Sequence, residues 1–187
     1  MVDITKGEKS KGRIIECAAE LFLKNGYNNT GIKEILNETQ LPKGSFYYHF
    51  KSKKDLAIEV AEYYKSKIGS WILRISKDKT WNDFIDNLIE DIVSDAKEGN
   101  YYGCPFATLA SEMAFLDLEM VQSYSMPMMN LISVFSMVLE FSGISKEQVE
   151  NNAKKAFALF EGYVMYYRVT KDIEILETLR EQLKNIY

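Results

Sequence analysis

The sequence contains few of the side chains that bind metal ions or perform thiol chemistry. Its 187 residues include only two cysteines, Cys17 and Cys104, and one histidine, His49. The cysteines lie far apart and form no C-x-x-C pair, so a structural zinc site and a histidine-bound catalytic metal both lack ligands. A thiol protease is disfavoured for the same reason. We therefore expect no metal, no other cofactor and no enzymatic activity.

Long uninterrupted apolar runs are also missing. The most apolar stretch, residues 126–141, contains Pro127, Asn130 and Glu140 and is shorter than the roughly 20 residues that span a bilayer. The first residues show no apolar segment after a basic stretch, so no secretory signal is visible. We expect a cytoplasmic protein without a membrane partner, a location in which both thiols stay reduced.

An excess of charge of one sign is absent overall, but the two signs are unevenly distributed. The chain has 23 Lys and Arg against 27 Asp and Glu, a net charge of -4. Residues 1–55 carry 10 basic against 7 acidic side chains, and residues 56–187 carry 13 against 20. Attraction to phosphate should thus be confined to the first third, where Lys51, Lys53 and Lys54 cluster. A solvated lysine cluster without function remains the alternative.

Apolar spacing in the first half predicts helices separated by clear turn signals. The first helix should cover about residues 8–25 and end at Asn25-Gly26. Thr30 is predicted to cap a short second helix, and Pro42 to begin a short third one. Ser52 and the acid three residues later form a capping-box pattern that opens a long helix linking two parts of the chain.

The second half shows the same helical periodicity. Five further helices are predicted: one from Thr80, one from Pro105 to about Leu116, one from Leu118 to Phe141 with a bend at Pro127, one from Ser145 and a last one around Leu176 to Ile186. No strand alternation, hairpin signal or internal repeat persists. The fold class is therefore all-α, with about nine helices.

Two short helices separated by about four residues form a helix-turn-helix, whose second helix is short enough to enter the major groove of DNA. Lys43, in its first turn, can reach a guanine edge or a phosphate, and Gly44 lets the backbone approach the duplex. Donors to phosphate oxygens follow: Ser45, Tyr47, Tyr48 and His49. Phe46 and Phe50 should face inward.

Each of these aromatic residues, taken alone, is equally compatible with packing. His49 as a catalytic base is disfavoured because no serine, cysteine or carboxylate arrangement accompanies it.

Four sequence segments resemble the TetR family of bacterial transcriptional regulators: Ala18-Ala-Glu-Leu-Phe22, Asn25-Gly-Tyr27, Thr30-Gly-Ile-Lys-Glu-Ile35 and Lys43-Gly-Ser-Phe-Tyr-Tyr-His-Phe-Lys-Ser-Lys-Lys-Asp-Leu56. The resemblance implies a homodimer that reads a palindromic operator in double-stranded DNA. It also implies a helix-turn-helix domain at residues 1–52 and a ligand-binding and dimerisation domain at residues 53–187, in which a small molecule lowers DNA affinity.

The resemblance also assigns DNA contacts. They are Lys43, Gly44, Tyr47, Tyr48, His49 and Lys53, with Thr30 and Lys33 as secondary contacts. The sequence departs from the expected chemistry in one respect, because it has no arginine between Arg13 and Arg74. Base readout should then fall on Lys43, Lys33 and backbone groups.

The last two predicted helices have wide apolar faces, which a single chain does not readily cover. In the resembling family the corresponding helices form a four-helix dimer interface. The predicted dimerisation residues are Phe157, Phe160, Val164, Tyr167, Leu176, Leu179 and Leu183.

Methionine and aromatic residues between the long helix and this interface suit a pocket for a small apolar or amphipathic effector. The predicted ligand-binding residues are Trp71, Phe84, Leu88, Phe106, Leu109, Met113, Met120, Tyr124 and Met128. Plain core packing remains the alternative for each of them. Glu112 and Glu161 flank apolar stripes and could meet a cation or solvent, and Cys104 is expected to be inert.

Together these patterns predict a dimeric, ligand-responsive transcriptional repressor. Two alternatives remain open at this level. The DNA-binding domain could be controlled by a protein partner or act constitutively, or the chain could be an all-α enzyme or carrier of small molecules.

Overall fold

The computed structural model describes residues 5–115 and 117–187, which form nine α-helices and contain no strand. The helices are α1 Lys6–Asn25, α2 Ile32–Thr39, α3 Lys43–His49, α4 Lys53–Ser76, α5 Trp81–Lys97, α6 Pro105–Met113, α7 Leu118–Phe141, α8 Lys146–Thr170 and α9 Glu174–Lys184. The predicted all-α fold class is confirmed. We call α1 to α3 the head and α4 to α9 the body.

Side-chain caps explain where several helices begin. The Ser52 hydroxyl accepts the backbone N–H of Asp55 at 3.1 Å at the start of α4, and the Thr80 hydroxyl accepts that of Asp83 at the start of α5. Such bonds satisfy amides that have no partner within the helix, and each typically stabilises a helix by about 1 kcal/mol. Both caps are as predicted.

Other predicted helix ends are wrong. Helix α2 begins after Gly31 rather than at Thr30, because the buried Thr30 hydroxyl donates to the carbonyls of Leu21 and Gly26 instead of capping α2. Helix α8 does begin where predicted, with Ser145 as its N-cap, but the Ser145 side chain makes no capping bond. Helix α6 ends at Met113, and Leu116, where its end was predicted, lies outside the described residues.

The head is built around apolar side chains from all three of its helices. Phe46 of α3 is fully buried and Phe50 nearly so, against Ile14 and Phe22 of α1 and Ile35 of α2. The inward direction predicted for both phenylalanines is confirmed. Helix α4 continues from the head into the body, and the buried Tyr64 hydroxyl donates to the carbonyl of Ala19 in α1 at 2.8 Å.

The core of the body centres on aromatic rings. Trp81 and Phe84 of α5 contact Phe135 of α7 with ring centroids 5.5 and 5.7 Å apart. The Trp81 indole N–H donates to the carbonyl of Leu183 at 2.7 Å and so ties α5 to the end of α9. Within the described residues, no helix combines the length and the apolar character needed to cross a membrane.

Candidate functional site

Helix α3 separates its buried from its exposed side chains. Phe46 is completely buried, whereas Tyr47 is 54% and Tyr48 80% exposed. Lys43 and Gly44 are also exposed at its first turn. A lysine, a glycine and two phenol groups therefore share a surface that no other part of the head covers, and these are the groups that contact phosphates and base edges.

The exposed side of α3 leaves room for another molecule to approach its backbone closely. The Lys43 ammonium lies 5.6 Å from the centre of the Tyr47 ring. Outside the adjoining residues and the backbone of α3, no atom in the described part of the chain lies within 4 Å of where a Gly44 Cβ would be, so the surface beside it is open. Ser45 is half-buried, and Lys33 is exposed on α2.

His49 ends α3 and connects it to α1. Its Nε2 lies 2.8 Å from the Ser10 hydroxyl oxygen, and the Ser10 hydroxyl donates to the carbonyl of Gly7, also at 2.8 Å. A hydroxyl both donates and accepts, so Ser10 connects the carbonyl of Gly7 to the His49 ring. With Nε2 engaged by Ser10, the predicted contact with phosphate needs a proton on the other ring nitrogen, Nδ1.

Two other predicted DNA contacts differ from the exposed residues of α3. Thr30 is completely buried and both of its hydroxyl bonds are to backbone carbonyls, so its side chain is not exposed on the surface that α3 presents. The Lys53 ammonium lies 4.2 Å from the centre of the Tyr27 ring. Partial burial lowers the pKa of Lys53, and the nearby carboxylate of Glu112 opposes that shift.

A cleft of about 1010 Å³, partly open to solvent, runs between α1 and the body. Two of the predicted ligand-binding residues, Trp71 and Leu88, line it. The Trp71 indole N–H donates to the Asp91 carboxylate at 2.6 Å, and Arg74 forms an ion pair with the same carboxylate at 3.4 Å.

The other predicted pocket residues do not line this cleft, because they fill the core. They are Phe84, Phe106, Leu109, Met113, Met120 and Tyr124, which are buried, and Met128, which is half-buried against the core. The Tyr124 hydroxyl illustrates the reason, since it donates to the carbonyl of Ala57 at 2.7 Å and thereby joins α7 to α4.

One wall of the cleft is a segment that the sequence patterns did not predict. Tyr101, Tyr102, Gly103 and Cys104 line it, together with Tyr63 of α4. Two adjacent tyrosines in a helix break that ends in a glycine were the available signal. On the α1 side the cleft is bordered by Cys17 and by three charged side chains, Arg13, Glu16 and Glu20.

A buried polar cluster lies behind this wall. The Cys104 thiol lies near the Glu161 carboxylate, and burial raises the pKa of both the thiol and Tyr101 well above their ordinary values. Burial also raises the pKa of Glu161 to about 7. In the described part of the chain, Glu161 Oε1 has no hydrogen-bond partner. A raised thiol pKa disfavours the reactive thiolate.

The predicted dimerisation residues all pack within their own chain. Phe157 and Phe160 are 7% exposed, and the remaining five, Val164, Tyr167, Leu176, Leu179 and Leu183, are at most 3% exposed. Their side chains are thus largely used within their own chain, and their role in dimerisation stays a prediction. The opposite face of α8 is exposed instead, with Met165, Tyr166 and Val169 each between 46% and 75% accessible.

A short helix that follows a tight turn and exposes a lysine and two tyrosines defines the helix-turn-helix class of DNA-binding protein. Residues 14–60 match the family model described as bacterial regulatory proteins of the tetR family. Residues 80–182, more than half of the chain, match the C-terminal domain of LmrA/YxaF-like transcriptional regulators.

Individual relatives agree with both matches. The Bacillus subtilis regulator YxaF is 29% identical, with 96% of each chain covered, and the Escherichia coli repressor NemR is 23% identical over 95% of this chain and 93% of its own. A TetR-family regulator from Agrobacterium tumefaciens has the same fold, with a TM-score of 0.88, 21% identity and coverage of 96% of this chain and 98% of its own. The chain therefore belongs to the TetR family of transcriptional regulators, which are not enzymes.

Proposed function

We propose that the protein is a dimeric transcriptional repressor that binds a palindromic operator through α3 and releases it when a small amphipathic molecule occupies the cleft. The exposed face of α3 carries this proposal, because two buried phenylalanines orient Lys43, Gly44, Tyr47 and Tyr48 outward. Lys43 would read a guanine edge, and the tyrosine hydroxyls would position the helix on phosphates. The relative NemR is named as a repressor.

The open cleft supports control by a small molecule over constitutive binding. Its volume of about 1010 Å³ accommodates a drug-sized molecule. Leu88, Leu131 and Phe135 provide apolar surface, while Asp91 and the tyrosines of the wall provide polar groups. This combination favours an effector with an apolar body and a polar end. A side-chain-filled body would have favoured a protein partner instead.

The exposed face of α8 supports a dimer whose contacts differ from those predicted. Ala158 and Gly162 lie one helical turn apart in a shallow apolar depression flanked by Leu159, Tyr163 and Tyr166. A glycine inside a helix costs about 1 kcal/mol relative to alanine. Apart from the adjoining residues and the backbone of α8 itself, no atom of the described residues lies within 4 Å of where a Gly162 Cβ would be. A second α8 crossing at Gly162 would use this space and cover the tyrosines.

Operator binding is tested by fluorescence anisotropy of DNA from just upstream of the protein's own coding region, and of further DNA chosen by genome-wide site selection. A shuffled sequence serves as the control, and each titration is repeated at several salt concentrations. We expect tight binding by two protomers per site that weakens steeply with salt, since phosphate contacts release counterions. Equal, weak binding to selected and shuffled DNA would refute the proposal.

A further inference from the structure

Side chains of the body hold the end of α1 through its backbone. Both carboxylate oxygens of Glu112, in α6, accept amides of the loop that follows α1. Oε2 accepts the N–H of Tyr27 at 2.8 Å and Oε1 that of Asn28 at 2.6 Å. Hydrogen bonds to an ionised carboxylate are about twice as strong as neutral ones. One body side chain thus fixes two consecutive peptide groups of the head.

Gly26 makes this contact possible. Its φ of 91° and ψ of 150° belong to a region that is essentially restricted to glycine. A Cβ at this position would lie only 3.1 and 3.2 Å from the two oxygens of Glu112. The loop therefore has both the backbone shape and the space that the carboxylate requires.

Arg168, in α8, connects the same end of α1 to the wall of the cleft. Its Nη2 donates to the carbonyl of Leu23 at 2.8 Å, and its Nη1 donates to the carbonyl of Tyr102. Leu23 lies in the last turn of α1, where helix carbonyls lack internal partners and attract cations. Leu23 and Tyr102 both line the cleft, so one guanidinium bridges a cleft-lining residue of the head and one of the body.

The charges of Glu112 and Arg168 influence each other. Burial lowers the pKa of Arg168, and the negative charge of Glu112 acts in the opposite direction. Glu112 acts in the same direction on Lys53, the residue that opens α4. The carboxylate thus lies among cationic groups of α8 and α4 while it binds the head.

We propose that Glu112 and Arg168 are positioning residues, which fix the head relative to the body and so set operator affinity without touching DNA. This inference rests on the proposed operator binding. Tyr102 forms part of the cleft wall. A molecule in the cleft that displaces Tyr102 would therefore also disturb the Arg168 contacts that join the head to the body.

The test compares Glu112→Ala and Arg168→Lys with wild type and with Glu90→Ala, an exposed carboxylate on α5, as a matched control. Hydrogen exchange is followed by mass spectrometry in peptides covering residues 24–30. Operator affinity is measured by anisotropy at several salt concentrations. Arg168→Lys keeps the positive charge but loses the planar fork that reaches two carbonyls at once.

We expect exchange of the Tyr27 and Asn28 amides to rise at least about tenfold in Glu112→Ala, because these amides lose their acceptors. Operator affinity should fall roughly 3- to 30-fold in both variants, the range seen when positioning residues are removed. The slope of log affinity against log salt should stay unchanged, since no phosphate contact is lost. Glu90→Ala should match wild type in every measurement.

Unchanged exchange in residues 24–30, or a salt slope reduced by about one unit, would overturn the proposal. If exchange rises in every peptide, the variant has lost its fold, and Glu112→Gln then decides by the same measurements, because it keeps one acceptor oxygen and the side-chain volume. If wild type binds no DNA, the proposed function fails. Exchange in residues 24–30 still decides whether Glu112 holds the head.

Discussion

The head and the body treat their apolar side chains differently. In the head, Phe46 and Phe50 are enclosed, and the aromatic rings that remain exposed on α3, Tyr47 and Tyr48, carry hydroxyl groups. The body leaves purely apolar side chains at the surface. On α7 they are Met126, Met129, Met137 and Phe141, and on α8 they include Met165 and Val169.

This difference indicates the chemistry of the partner that each region meets. A surface of lysine, glycine and phenol groups suits a charged, hydrogen-bonding partner such as a nucleic acid. Exposure of methionine and aliphatic side chains to water is unfavourable. They suit another apolar surface or an apolar ligand that would cover them. Four experiments probe this contrast.

The largest effect is expected in the core of the head. Phe46→Ala should lower the free energy of unfolding by about 3–5 kcal/mol, because it leaves a cavity at a completely buried position. Tyr48 in the same helix is 80% exposed, so Tyr48→Ala should change the free energy of unfolding by less than about 0.5 kcal/mol. Urea unfolding followed by circular dichroism measures both, and similar losses would show that α3 is not divided into a buried and an exposed face.

The next effect concerns the apolar surface of the body. Gly162→Lys should raise the dimer dissociation constant at least about 30-fold, because a lysine would fill the space where α8 of the partner crosses. Sedimentation velocity at several concentrations measures it. Gly69→Lys is the matched control, since Gly69 is also an exposed mid-helix glycine with open space around it. Equal dissociation in both variants would exclude this face of α8 as the interface.

The third effect compares specific with general DNA binding. Lys43→Ala should weaken operator binding by about 1–3 kcal/mol and relax the preference for operator over shuffled DNA, because a base contact is lost. Lys33→Ala on α2 should weaken binding less and change that preference less. Anisotropy titrations against both DNAs provide the comparison, and an identical loss on both DNAs for Lys43→Ala would remove it from base readout.

The last effect depends on pH and on the buried cluster behind the cleft. Burial raises the pKa of Glu161 from 4.5 to about 7, so the folded protein binds this proton more tightly than the unfolded chain does. Stability from this group is present below the unfolded pKa and is lost as pH rises through 7. Glu161→Gln should therefore be more stable than wild type by about 3 kcal/mol near pH 8 and equal to it near pH 4.

Thermal unfolding across this pH range measures the difference, with Glu147→Gln, an exposed position on the same helix, as the control. A difference between Glu161→Gln and wild type that does not vary with pH would contradict the assignment to ionisation of Glu161.

The sequence was sufficient where one short-range pattern had one solution. Helix α3 has seven residues, and the spacing of Phe46 and Phe50 allows only one side to face the core, so the exposed residues follow. Ser52 and Thr80 have the right side chains directly before helical periodicity begins, so those starts were predictable. Thr30 has an equally suitable side chain, but longer-range carbonyls of α1 and its loop bind its hydroxyl.

The sequence was insufficient where a helix carries more than one apolar face. Helix α8 has Phe160 and Val164 on one side and Tyr163 and Tyr166 on another, and periodicity does not tell which side meets the helix's own core. The cleft was equally hidden, because a cavity is the space that side chains leave unfilled. Trp71 lines it while Phe84 fills the core, although both are aromatic residues in amphipathic helices.

The two tryptophans give the protein two separate fluorescent reporters. The completely buried Trp81 indole is bonded to the end of α9, so its emission should stay blue-shifted until the body unfolds. The Trp71 indole lies at the cleft beside a carboxylate, where an occupying molecule would change its emission without any unfolding. A Trp81→Phe variant would therefore report cleft occupancy from a single ring, and a library of compounds could be screened for the effector by emission alone.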